Sequence, residues 1–72
     1  MMVTVKAQPG ASSRTRNRVR EHPGVFTLKE TSNPVCFDGR KAHRLQHPDG
    51  WGGWLPADEV DLMEAPDATV HP

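Results

Sequence analysis

The sequence predicts a small, mainly β (α+β) domain: five short strands closing into a barrel, a short N-terminal helix, and a 3₁₀ turn before the last strand. Three observations carry this expectation. The chain has 72 residues, of which 35% are hydrophobic, so the core must be thin. Seven prolines and six glycines break it into short segments. Between these breaks, apolar residues alternate with polar ones over four to eight positions, the signature of half-buried strands. Strands joined by tight turns in so short a chain hide their edges best by curling into a barrel.

The first strand is Val3-Thr4-Val5-Lys6-Ala7, with Val3, Val5 and Ala7 facing inward. Gln8-Pro9-Gly10 ends it. Ser12 and Ser13 are candidate N-caps for a helix from Ser13 to Glu21, which His22-Pro23-Gly24 stops. Arg14, Arg16, Arg18 and Arg20 lie on that segment. On a strand they would share one face; on a helix they split into the stripes Arg14/Arg18 and Arg16/Arg20. Val19 is its only large apolar residue, so the helix has little to bury.

Val25 to Thr31 reads as a strand with Phe26 and Leu28 inward. Ser32-Asn33-Pro34 is a turn, and Val35-Cys36-Phe37 is expected to be a third strand with Val35 and Phe37 on one face. Asp38-Gly39 supplies a two-residue hairpin turn, because both central positions need positive φ. In the return strand, Arg40 to Gln46, either Ala42/Arg44 or Lys41/His43/Leu45 faces inward. His47-Pro48-Asp49-Gly50 turns the chain into Trp51-Gly52-Gly53-Trp54-Leu55. Pro56 to Glu59 then suits one turn of 3₁₀ helix, and Val60 opens the closing strand. The expected domain is 1–63, with a polar, proline-bounded flexible tail at 64–72. No internal repeat is present.

The net charge is zero, yet residues 1–29 carry +5 and residues 30–72 carry −5. That asymmetry marks an interaction surface or two halves that neutralise each other on folding. No apolar run reaches ten residues, so neither a membrane-spanning helix nor a signal-peptide core is expected. The single cysteine, Cys36, cannot form an internal disulfide, which points to a reducing, cytoplasmic setting.

The run from Asp38 through Gly50-Trp51-Gly52-Gly53-Trp54-Leu55-Pro56 to Val60 and Leu62 resembles the second half of a Src-homology-three-like barrel. Gly53, Trp54, Leu55, Pro56 and Val60 match the family's Gly-aromatic-apolar-Pro, turn and closing-strand pattern. The resemblance implies that Leu55 and Val60 are core and that Trp54 and Pro56 line an exposed groove. The first half departs from it: the chain has no tyrosine, Glu59 stands where the turn carries an aromatic, and Arg40-Lys41 stand where paired aromatics are expected. A proline-rich ligand, which needs stacked aromatics, is therefore not implied. A looser similarity joins Ser13–Glu21, Cys36–Arg40 and Gly53–Pro56 to small uncharacterised bacteriophage or prophage proteins, implying an accessory protein that acts by binding.

No catalytic set assembles. Cys36, His43 and His47 lack the paired cysteines of a structural zinc site, and exposed histidines are the simpler reading, so neither metal nor cofactor is expected. Cys36, between Val35 and Phe37, reads as strand filler rather than a nucleophile. Asp58, Glu59 and Asp61 suit capping of the turn, or pairing with the arginines, better than acid–base work. Gly50-Trp51-Gly52-Gly53 lacks the lysine and following helix of a phosphate loop. If the strand is regular, Trp51 and Trp54 face opposite sides, one toward the core and one outward. The expectation is a non-catalytic protein-interaction module, a monomer or weak homo-oligomer, that binds through Trp51, Trp54, Pro56, Asp58 and Glu59. The alternative is a nucleic-acid-binding barrel using Arg14, Arg16, Arg18 and Arg20, with stacking on Trp51.

Overall fold

The structure, a computed structural model, describes residues 1–65. Its elements follow in order: β1 (Met2–Ala7), α1 (Ser13–Glu21), β2 (Val25–Ser32), a 3₁₀ turn (Val35–Phe37), β3 (Ala42–Gln46), β4 (Gly52–Pro56) and β5 (Val60–Glu64). The strands form one antiparallel sheet in the order β4-β3-β2-β1-β5. β1 sits inside it, pairing Val3 with Phe26 of β2 and Val5 with Leu62 of β5.

The core takes one buried side chain from every strand: Val3, Phe26, Leu45, Leu55 and Val60. Val5, Val19, Leu28, Trp51 and Leu62 pack around this cluster, half-buried. Because Leu55 of β4 and Val60 of β5 meet in it, the sheet curls. Its hydrogen bonding does not close: β4 and β5 are the two edges, and the expected barrel is an open, curled sheet at this level.

α1 spans the segment expected from its caps. The Ser12 hydroxyl accepts from the Thr15 backbone N–H at 3.3 Å, satisfying one of the free donors of the first turn. At the other end Pro23 disfavours helical geometry at His22, which sits at φ −126°, ψ 72°. The helix period separates Arg14/Arg18 from Arg16/Arg20.

Five further expectations need correcting. Val35-Cys36-Phe37 is not a strand. Pro34 lacks an N–H for a ladder, and the chain instead closes the bonds Phe37 N–H to Pro34 O (3.1 Å) and Asp38 N–H to Val35 O (2.9 Å). Val35 is 92% exposed, so its β preference has no surface to serve. Asp38 and Gly39 do take positive φ, 53° and 80°, but they end this 3₁₀ turn rather than join two strands. Between Leu55 and Val60 lies a simple turn closed by Glu59 N–H to Pro56 O (3.1 Å), so the 3₁₀ element is at 35–37 instead.

The return strand starts at Ala42 and buries one residue from each expected face, Ala42 and Leu45. In its pairing with β2 the register shifts between Leu28 and Glu30, leaving Lys29 as an extra residue. Finally, β5 includes Glu64, and buried Ala65 donates its N–H to Met2 O at 3.0 Å, so the sheet runs past the expected boundary at 63. The rest of the expected tail, 66–72, lies outside the described residues. Among the described residues, no helix is long and apolar enough to cross a membrane.

Candidate functional site

The site is built on how α1 is held against the sheet. Its first turn is fastened by Glu59, from the β4–β5 turn. One carboxylate oxygen accepts from the Ser12 backbone N–H (3.0 Å), the Ser12 hydroxyl (3.0 Å) and the Thr15 hydroxyl (2.7 Å). The other accepts from Arg40 Nη2 at 3.2 Å. The Ser12 backbone donor is the main reason its pKa falls from 4.5 to about 2; the Thr15 hydroxyl follows. A negative group at a helix N-terminus is also favoured by the helix dipole. Thr15 is buried at 3% exposure and spends its hydroxyl on this contact. Arg40 also pairs with Asp58 at 2.6 Å, and its pKa is raised first by Asp58 and then by Glu59.

Fixing the helix in this way opens a cleft of about 540 Å³ between α1, the 3₁₀ turn and β4. Arg14 and Arg18 form one wall, and Trp51, Trp54 and Pro56 line it opposite. Residues of the two rival sequence readings thus meet in one place, except that Arg16, Arg20 and Asp58 do not line it. Arg18 pairs with Glu21 at 3.1 Å in an exposed contact, and Arg20 hydrogen-bonds Asn17. Cys36 lines the cleft and is exposed.

Trp51 lies just before β4, so strand alternation does not relate it to Trp54; both rings are half-buried and line the cleft, but they pack differently. Trp51 packs against the core, and its ring lies over Gly53, where a Cβ would come within 3.0 Å of it. A side chain there would push the ring aside by a few tenths of an ångström. Trp54, one residue from buried Leu55, is half-buried and outside the core cluster. Pro56 is buried, so it contributes a floor rather than a ridge. Glu59 lines the cleft but is spent on α1, and Asp58 on Arg40. Asp61 turns away and accepts from Gln8 Nε2 at 3.1 Å.

The opposite end of α1 is held by a second carboxylate. Asp49, in the β3–β4 loop, meets His22 Nδ1 at 2.6 Å and His47 Nδ1 at 3.1 Å, and accepts from the Trp51 backbone N–H at 2.9 Å. His22, foremost, and then the Trp51 N–H lower its pKa to about 2. The His22 ring stacks on Trp51 at 4.9 Å, and His47 meets Phe26 edge-on at 4.8 Å. His43 is elsewhere, its Nδ1 2.8 Å from the Thr31 hydroxyl, with its pKa lowered by burial and then by Lys41. The residues weighed together as ligands in the sequence, Cys36, His43 and His47, are therefore not one group; the group that forms is His22, His47 and Asp49.

Sequence reasoning missed His22, Asp49 and Thr15. The two turn signals His22-Pro23-Gly24 and His47-Pro48-Asp49-Gly50 were visible, but nothing in a single sequence says that they meet across 27 positions. Thr15 carried a weaker signal, an hydroxyl three residues after the N-cap. Comparison with known proteins finds no matching family model, no matching curated protein and no matching solved structure.

Proposed function

We propose that this chain is a non-catalytic protein-binding module whose cleft between α1 and β4 receives an extended segment of a partner. The supporting observation is the pairing of Trp54 with two arginines one helical turn apart across a single cleft. A flat apolar side chain of the ligand lies against Trp54, and an acidic group of the ligand meets Arg14 and Arg18. The strand order and a core drawn from all five strands support reading the curled sheet as a Src-homology-three-like barrel. The ligand differs from that family's proline-rich peptides, because Arg40 and Lys41 stand where further aromatics would be needed.

A peptide-display selection on the wild-type chain tests this reading, with isolated peptides remeasured against Trp54→Ala and Arg18→Ala. The selected peptides carry an acidic residue near an apolar or aromatic one. Each substitution weakens them by about tenfold or more (about 1.4 kcal/mol) while the circular dichroism spectrum is kept. Peptides that bind both variants as well as wild type would sink the proposal.

One observation favours a second reading, single-stranded nucleic acid: the same cleft puts guanidinium groups beside an aromatic face on which a base stacks. Anisotropy with labelled oligonucleotides at about 50 mM salt separates the two. Binding that weakens steeply with salt and depends on Arg14, Arg18 and Trp54 selects the nucleic acid.

A further inference from the structure

The His22–His47–Asp49 cluster carries an inference independent of the cleft ligand. His47 Nε2 lies 2.8 Å from the Pro23 carbonyl oxygen. A carbonyl oxygen only accepts, so this nitrogen carries a proton and donates it. In the neutral ring Nδ1 is then a bare lone pair. It is turned toward Asp49, 3.1 Å from Oδ1, with the Asp49 backbone N–H 3.2 Å away. The Asp49 N–H donates to this lone pair, so an entering ion takes the place of that one hydrogen bond while the lone pair stays aimed at the carboxylate side of the cluster. On the other side of the same carboxylate, His22 Nδ1 approaches Oδ2.

Donor atoms of the three residues lie within 4.8 Å of one another. Tetrahedral coordination with bonds of about 2.0–2.1 Å sets donors roughly 3.3 Å apart, so seating an ion needs donor separations to change by up to about 1.5 Å. The hydrogen bond to Pro23 also does what an outer partner of a ligating histidine does, fixing the tautomer and the ring direction. The two imidazoles are mostly buried, with side chains 13% and 9% exposed, while Asp49 is 43% exposed and leaves a way in from solvent.

We propose that His22, His47 and Asp49 form a binding site for a divalent transition metal of the zinc class, with one coordination position open to solvent. Two imidazoles and one carboxylate suit zinc, nickel or copper and do not suit magnesium or calcium, which take all-oxygen sets. The bound ion ties the end of α1 to the β3–β4 loop, beside the Trp51 ring that stacks on His22.

The test is calorimetric titration of zinc chloride into the untagged, chelator-stripped full chain, with tryptophan fluorescence followed in parallel. One equivalent binds, the thermal midpoint rises, and emission from Trp51 changes in a Trp54→Phe background. Magnesium chloride gives no saturable binding. Losing an outer partner of a metal site already costs about 10- to 100-fold, so His22→Ala and Asp49→Asn each weaken zinc by at least that much. His43→Ala leaves binding unchanged. No saturable binding by the wild-type chain up to about 1 mM zinc would overturn the proposal and leave the His47 Nδ1 lone pair to the Asp49 backbone N–H alone. Binding that survives in both ligand variants, or that falls equally in His43→Ala, would overturn it too.

Discussion

The two ends of α1 are held by the same device made from different materials. Each receives a carboxylate from a turn between strands: Glu59 from the β4–β5 turn at the N-terminal end, Asp49 from the β3–β4 loop at the C-terminal end. Glu59 meets hydroxyls and a backbone N–H, groups that keep their protons at any ordinary pH. Asp49 meets two imidazoles, whose donor and acceptor roles change with a proton or a metal. One end is therefore a fixed anchor and the other is adjustable. Residue type, not the amount of contact, decides which is which.

The largest expected effect comes from removing what supports the adjustable end. Phe26 is 1% exposed and its ring meets both His47 and Trp51. Phe26→Ala costs about 3–5 kcal/mol, comparable with the whole stability of so small a domain, and leaves the chain unfolded by circular dichroism at 25 °C. A cooperative melt at the wild-type midpoint would show that the core is not organised around this ring.

Breaking the fixed anchor is next. Glu59→Ala removes the acceptor of the buried Thr15 hydroxyl, leaving it only the 3.3 Å contact with the Ser12 hydroxyl, and costs about 1–3 kcal/mol by urea denaturation. Acid should do part of the same. The folded pKa of Glu59, about 2, is below its ordinary 4.5, so the unfolded chain binds more protons in between. The stabilisation from Glu59 is complete above the ordinary value and is lost as pH falls through 4.5 toward 2. The stability gap between wild type and Glu59→Gln narrows over that window. A gap that is constant down to about pH 2.5 would mean the carboxylate charge is not what the helix end uses.

The smallest effect is Ser12→Ala, about 1 kcal/mol, because Glu59 still holds the Ser12 backbone N–H and Thr15 when the side-chain cap is lost. A loss larger than that of Glu59→Ala would reverse the order of the two caps.

What the sequence disclosed follows the same division between local and distant physics. α1 was legible because its cap, its proline stop and its period are all local. β1, β2 and the inward Val3 and Phe26 were legible from alternation over a few residues. Val35-Cys36-Phe37 misled because its β preference was real but Pro34 and the Asp38-Gly39 reversal left it no neighbour to pair with. Trp54, Pro56 and the arginines were each visible, but that Arg14 and Arg18 share a cleft with them depends on Glu59 reaching back 47 positions to Ser12. Pattern cannot supply that span. The pairing of two turns through Asp49 was hidden for the same reason.

The place of β1 has a consequence for how the molecule comes into being. Its neighbour on one side is the last strand, and Met2 accepts from Ala65. A ribosome must therefore deliver nearly all of these residues before β1, already able to pair with β2, finds the second of its two permanent neighbours. Until then the nascent chain carries an unprotected strand edge, so assembly waits on synthesis, and any product cut short before residue 60 is left adhesive rather than merely incomplete.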